Sequence, residues 1–302
     1  MEIQYTIDCF LEYIATERRL SRATIAVYQS ELDRFRTFLN QEIQITEIEA
    51  VDTKAVREWQ ASLMDDGLSP NSIKRALSAL NSWFKYLRRQ HWVSTDIMAK
   101  ITPPKSPKRL PIFYREQEVE KIYNQDDIFP DSFEGKRDRL LLQILYETGI
   151  RRAELVGLKE SSIDFSAHAI KVLGKREKER IIPIENELEH NISKYLALKK
   201  QISDIPESFF ITAKGKPMNE AQVYQVVKKY MSSLSNAQRI SPHIFRHSFA
   251  THMLNEGADI NALKELLGHS DIAATEVYTH VTREHLKDTY KHAHPRSTTK
   301  KR

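Results

Sequence analysis

Across residues 1–100, apolar side chains recur at helical spacing and polar ones fill the intervals. Ile7, Phe10, Leu11 and Ile14 form a first stripe, with Cys9 inside it. Ile25, Tyr28, Leu32, Phe35 and Phe38/Leu39 form a second behind Ser21, whose hydroxyl suits an N-cap. Asp52 stands before a third, carrying Val56, Trp59 and Leu63. After the turn DDGL comes SPNSIKRALSALNSWFKYLRR, with Ser69 as N-cap, Pro70 at the first helical position and Ile73, Leu77, Leu80, Phe84 and Leu87 as the buried stripe. The periodicity stops at ITPPKSPKRLP, where four prolines fall within residues 103–111. Proline fixes φ and removes a backbone donor, so this stretch reads as an extended linker. Residues 1–100 are therefore expected to form one domain, 101–111 a linker, and 112–302 a second domain.

Beyond the linker the pattern mixes two periods. Residues 139–146 are a strongly apolar helix ending near Gly149, a suitable C-cap, and 154–158 start another short helical stretch. Residues 161–165, 169–173 and 180–184 are short, rich in β-branched side chains and separated by turn residues, which predicts a small antiparallel sheet. Helices are expected at 185–201, 219–234, 242–255, 259–267 and 271–280. The fold class is mainly α: a helical N-terminal domain followed by a mixed α/β domain with a small antiparallel sheet.

Composition changes the picture in two places. The chain of 302 residues is 40% hydrophobic and 29% charged, has one cysteine, and contains no apolar run long enough to cross a bilayer. Acids stand where a secretory signal would carry lysines, and a lone cysteine excludes an internal disulfide framework, so a reducing cytoplasm is expected. The net charge of +5 points weakly to a polyanion. Its distribution says more. Lys74, Arg75, Lys85, Arg88 and Arg89 lie off the buried stripe of their helix, with no acid between residues 71 and 90, and Lys105, Lys108 and Arg109 make the linker basic. These cations are candidates for contact with a phosphate backbone.

The segment SPHIFRHSFATHML places a helix start at Ser241-Pro242, His243 in the first turn and Arg246 one turn later on the same face. Phe245, Phe249 and Met253 anchor a separate face. His243 and His247 have a zinc-like spacing, but Ile244 stands where HExxH has its glutamate and Arg246 would oppose a divalent ion, so no metal is expected. His247 and His252 are read as a buried, satisfied pair. Three further fragments bring Arg151 and Arg152 after Gly149, Lys175 with Lys178 and Arg180 nearby at a hairpin, and His269 with Tyr278 in LLGHSDIAATEVYTHV. Taken singly they are a surface arginine pair, a charged turn, a capping histidine and a half-buried tyrosine. Taken together they supply what metal-free attack on a phosphodiester needs. Arginines offer forked, permanently charged donors for the non-bridging oxygens. A tyrosine, ordinarily of pKa about 10, becomes a nucleophile when cations favour the phenolate. Lysine and histidine move the protons. Paired carboxylates for a two-metal site and a GxxxxGK[ST] loop are both absent from the sequence.

In this order, Arg151, Lys175, His243-x-x-Arg246, His269 and Tyr278 resemble the tyrosine recombinase (phage integrase) family. TGIRRAEL, GKREKER, SPHIFRHSFATHML, LLGHS and VYTHV resemble its Xer branch, and the likeness spans nearly the whole chain. It implies a SAM-like core-binding bundle at 1–100 and a catalytic domain at 112–302 whose segment 282–294 docks on a neighbouring protomer. It also implies a 3′-phosphotyrosine on Tyr278, phosphate held by Arg151, Arg246 and His269, His243 as acid/base partner, and Lys175 as donor to the 5′ oxygen. GKREKER leaves a choice between Lys175 and Lys178, and Lys175 is preferred. Arg152 stands where the family has an apolar residue, which raises the prospect of an extra phosphate contact. No cofactor is implied. The expected partners are a double-stranded recombination site, a homo- or hetero-tetramer with a second recombinase, and an activator such as a DNA translocase, in the cytoplasm on the nucleoid. Competing readings are a mobile-element integrase, a relaxing enzyme of type IB topoisomerase kind and a non-catalytic DNA-binding protein. Against the phage integrases, which often carry an additional arm-binding domain before the core-binding one, none is expected here, since residues 1–20 leave no room for it.

Overall fold

The computed structural model describes residues 1–105, 112–174, 179–202, 206–268, 289–290 and 292–295. The chain divides into two units, Met1–Arg109 and Leu110–Arg302. None of the described helices is long and apolar enough to cross a membrane.

Among its described residues the first unit has four α-helices, α1 (Ile3–Thr16), α2 (Arg22–Glu42), α3 (Thr53–Asp65) and α4 (Pro70–Arg89), with a 3-10 turn at Ile48–Ala50. Their starts follow from capping chemistry. The Ser21 hydroxyl accepts from the Thr24 N–H, Asp52 from that of Ala55, and Ser69 from that of Ser72, with Pro70 in the first turn. Burial of the apolar stripes then decides how the helices pack. Leu32 and Phe35 of α2, Trp59 of α3 and Leu80, Trp83 and Phe84 of α4 are all in one core. The Phe35 ring lies 4.9 Å from that of Trp59.

In the second unit, α6 (Phe133–Thr148) is buried along nearly all of its length and packs against α5 (Glu116–Asn124), α8 (Asn186–Lys199), α9 (Glu220–Leu234) and α10 (Pro242–Asn255). α6 begins earlier than the apolar run suggests, because the Ser132 hydroxyl caps it at Gly135 before its hydrophobic stretch starts. Arg152–Val156 forms the short α7 and Ile260–Leu267 forms α11. The sheet is three-stranded and antiparallel in the order β1 (Ile163–Asp164), β2 (Ala169–Leu173), β3 (Glu179–Pro183), with Ile170 opposite Ile182. β1 is shorter than expected, since Glu160–Ser162 winds into a 3-10 turn. Near the C-terminus, Tyr290, Ala293 and His294 are buried in the core of this same unit. The Tyr290 hydroxyl donates to the Glu147 carbonyl at 3.0 Å, and its ring stacks on His294 at 4.6 Å. Of the segment 282–294 expected to dock on a neighbour, residues 282–288 and 291 lie outside the described residues; Tyr290 and His294 meet Glu147 of α6 and Phe249 of α10 in their own chain.

Candidate active site

The site starts from two glycines that end helices. α6 stops at Gly149 (φ 58°) and α11 at Gly268 (φ 64°), both in the left-handed region that a side chain resists. Helix ends leave carbonyls without intrahelical partners and carry partial negative charge. Arg246, on α10, meets both ends: its Nη1 donates to the Gly149 carbonyl at 2.7 Å and its Nη2 to the Leu267 carbonyl at 2.6 Å.

Arg151 stands at the N-cap position of α7, directly after the Gly149 turn. Its backbone N–H donates to Glu154 Oε2 at 2.7 Å and its Nη1 to Glu154 Oε1 at 2.9 Å, while its Nη2 reaches the Gly268 carbonyl at 3.3 Å. Arg180 enters from β3. Its Nη1 and Nη2 donate to the two Glu154 oxygens at 2.9 and 2.7 Å, and its Nε donates to the Leu266 carbonyl at 2.8 Å. Three guanidinium groups thus gather around one carboxylate and the ends of two helices.

The electrostatics follow from that crowding. Burial pushes the Glu154 carboxyl up, but the hydrogen bonds from Arg180 and Arg151 outweigh it and hold the group below its ordinary range. Burial, then the charges of Arg151 and Arg180, bring Arg246 down to about 10 although Glu154 opposes them. At neutral pH it is still a cation. His243, exposed one turn before Arg246, also titrates low: loss of water comes first, followed by Arg152, His247, Arg246 and Arg151. Its imidazole is therefore neutral at pH 7, the form that accepts a proton.

The structure thus brings Arg151, His243 and Arg246 together. Lys175, His269 and Tyr278 lie outside the described residues, as does Lys178. Arg152 has another partner: its guanidinium donates to Glu220 of α9 at 2.7 Å. The expected buried histidine pair is half correct. His252 is buried with its Nδ1 3.0 Å from the Tyr146 hydroxyl, whereas His247 is exposed, because it shares the open face of α10 with His243 and Leu254.

In the first unit, Lys74 and Lys85 point to solvent from α4 with no ion pair among the described residues. Arg75 donates to the buried Glu31 at 3.1 Å and Arg88 to Asp96 at 2.6 Å. Lys85, Arg88, Arg89 and His91 line a surface hollow of about 510 Å³. Lys105 is exposed; Lys108 and Arg109 lie outside the described residues. Arg180 is the residue that sequence reasoning left as a mere neighbour of Lys175. Its local signal was slight, an arginine directly before Ile181 and Ile182 in a strand; what makes it matter, Glu154 and the Leu266 carbonyl, lies elsewhere in the chain.

Comparison with known proteins decides the family. The phage integrase family model matches residues 113–285, and that of the phage integrase N-terminal SAM-like domain matches residues 7–91. The chain belongs to the phage integrase family, the tyrosine recombinases. It is 35% identical over 302 residues to the tyrosine recombinase XerC of Oceanobacillus iheyensis, with 98% of each chain covered. It is 33% identical to the tyrosine recombinase XerD of Staphylococcus haemolyticus, covering 96% of this chain and 99% of the relative. Among solved structures, the XerH site-specific recombinase bound to its difH substrate in a pre-cleavage complex matches with a TM-score of 0.69 at 25% identity, covering 92% of this chain and 82% of that one. The arginine cluster described above falls wholly within the span matched by the phage integrase family.

Proposed function

We propose that this tyrosine recombinase cleaves and rejoins duplex DNA at a specific site through a 3′-phosphotyrosyl intermediate on Tyr278, resolving chromosome or plasmid dimers. The observation that carries the reading is the gathering of positive charge among the described residues: Arg151, Arg180 and Arg246 crowd around the carboxylate of Glu154. Cations held that close repel one another, and an anion seated among them relieves the cost. A phosphodiester whose non-bridging oxygens gain charge during attack fits that need best at the transition state.

In the cleavage step the Tyr278 oxygen bonds to phosphorus and the bond from phosphorus to the 5′ oxygen breaks. The tyrosine proton passes to the neutral His243, and Lys175 gives a proton to the departing 5′ oxygen. Arg151 and Arg246, with His269, hold the phosphate meanwhile. Rejoining runs the same steps in reverse, with a 5′ hydroxyl as nucleophile and tyrosine as leaving group. Charge stabilisation comes from guanidinium groups, so the step needs no metal or cofactor.

Residues 1–100 serve as the core-binding domain, with Lys74, Arg75, Lys85 and Arg88 toward the DNA, 101–111 as linker, and 112–302 as the catalytic domain. The relatives named XerC and XerD support a cytoplasmic, nucleoid-bound enzyme that acts in a tetramer with itself or a second recombinase. An activating partner such as a DNA translocase belongs to the same reading.

The test is a nicked suicide duplex carrying the site this protein selects from a random duplex pool. Wild type is expected to form a covalent protein–DNA adduct and Tyr278→Phe none. Arg151→Ala and Arg246→Ala are expected to cut the adduct-forming rate by about 100-fold or more while affinity changes little, because removing one charge-stabilising donor costs roughly that much. An adduct undiminished in Tyr278→Phe ends the assignment.

A further inference from the structure

Arg180 is tied into the site although the reaction itself does not call on it. It leaves β3 and ends in three hydrogen bonds that join β3 to two other elements: two to the Glu154 carboxylate of α7, one to the Leu266 carbonyl near the end of α11. Its side chain is 9% exposed and that of Glu154 7%, so little water competes with these bonds. The remaining edge of the same carboxylate network is Arg151, through both its backbone N–H and its guanidinium. The turn that Arg180 pins at Leu266 continues into Leu267 and Gly268, whose carbonyls take Arg246 and Arg151. A Cβ added at Gly268 would come within 3.1 Å of Arg180 Cδ, so the turn closes directly over this side chain.

We propose that Arg180 is a positioning residue for strand cleavage: it fixes the Glu154 carboxylate and the α11 end so that Arg151 and Arg246 face the scissile phosphate in register. The inference rests on the reading of Arg151 and Arg246 as the phosphate clamp. A planar guanidinium suits the task because its forked edge matches a carboxylate while Nε points elsewhere. Lysine keeps the charge but offers one point of attachment, so it cannot hold both Glu154 oxygens and the Leu266 carbonyl in one fixed geometry. Displacement of the clamp by about 1 Å is enough to slow a positioned reaction on the order of 100-fold. Binding of DNA draws on contacts spread over the backbone and is expected to be nearly indifferent to it.

The experiment uses the full chain and the selected suicide duplex. Arg180→Lys, Arg151→Ala and the double variant are compared for affinity by anisotropy and for adduct formation in a single turnover at saturating protein. Arg180→Lys is chosen because it keeps charge and bulk; Arg180→Met is carried alongside, and thermal unfolding confirms that both are folded. The expected result is affinity within about 2-fold of wild type for Arg180→Lys, with adduct formation slowed roughly 10- to 100-fold. The double variant should lose clearly less than the product of the two single losses, since the Arg151 that Arg180 holds through Glu154 is already gone and only the Arg246 side of the clamp is left to disturb. Adduct formation within 2-fold of wild type in a folded Arg180→Lys, or losses that multiply in the double variant, would overturn the proposal while leaving the cleavage reading intact. A wild type that forms no adduct on the selected site overturns both.

Discussion

His243 shows how much a single residue owes to its surroundings. It is exposed on α10, yet its imidazole titrates below the ordinary 6.5 because it loses water and faces Arg152, His247, Arg246 and Arg151. The sign of the consequence follows. Above its lowered pKa the ring is neutral and accepts the tyrosine proton; as pH falls through that pKa it is protonated and cleavage slows. The rate of adduct formation is therefore expected to stay level from neutral pH to below 6.5 and to decline only at lower pH. His243→Gln should be slower throughout and should lose that acidic limb. A decline centred above 6.5 in wild type, or an acidic limb unchanged in His243→Gln, would place the base elsewhere.

At the level of elements, the site depends on where helices stop. An added Cβ at Gly149 would meet Phe249 Cδ1 at 2.6 Å and Leu267 Cδ2 at 3.0 Å, besides forcing a side chain into a positive φ. Gly149→Ala is expected to lower stability by about 2 kcal/mol or more, from backbone strain and overpacking together. It should also slow cleavage, because the carbonyl that holds Arg246 belongs to the displaced turn. Equilibrium unfolding and the adduct assay read the two effects separately. This turn was legible in the sequence, since glycine after an apolar helix is a stop signal of known cause. So were the strand 169–173 and the caps at Ser21, Asp52 and Ser69, where local chemistry decides. The start of α6 was not, because its first turns are polar and only the Ser132 cap announces them. Nor was the role of Arg180. Its partners Glu154 and Leu266 are remote in the chain, and nothing in a local pattern states which carboxylate a buried cation will find.

The whole molecule adds a charge argument that neither the arginine cluster nor any one helix supplies. A duplex binds such a protein largely by releasing counterions, so the logarithm of affinity falls linearly with the logarithm of salt concentration. The cations of α4 divide into two kinds. Lys74 and Lys85 have no ion pair among the described residues, whereas Arg75 is held by Glu31, a carboxylate only 4% exposed, and Arg88 by Asp96. Among the described residues, a phosphate contact with Lys74 or Lys85 breaks no internal bond; with Arg75 it would strip a buried carboxylate of a partner, which is expensive. Lys74→Gln and Lys85→Gln should each reduce the salt slope by about 0.9, alike on the selected site and on random duplex, if each lysine neutralises one phosphate. Arg75→Gln should leave the slope closer to wild type and instead lower the unfolding midpoint, as the carboxylate it abandons has Arg34 as its remaining cation, at 3.4 Å. Anisotropy titrations between about 50 and 200 mM salt separate these outcomes. A full unit of slope lost with Arg75→Gln and none with the lysines would mean that the DNA meets α4 through its paired cations, and that the pairs open on binding.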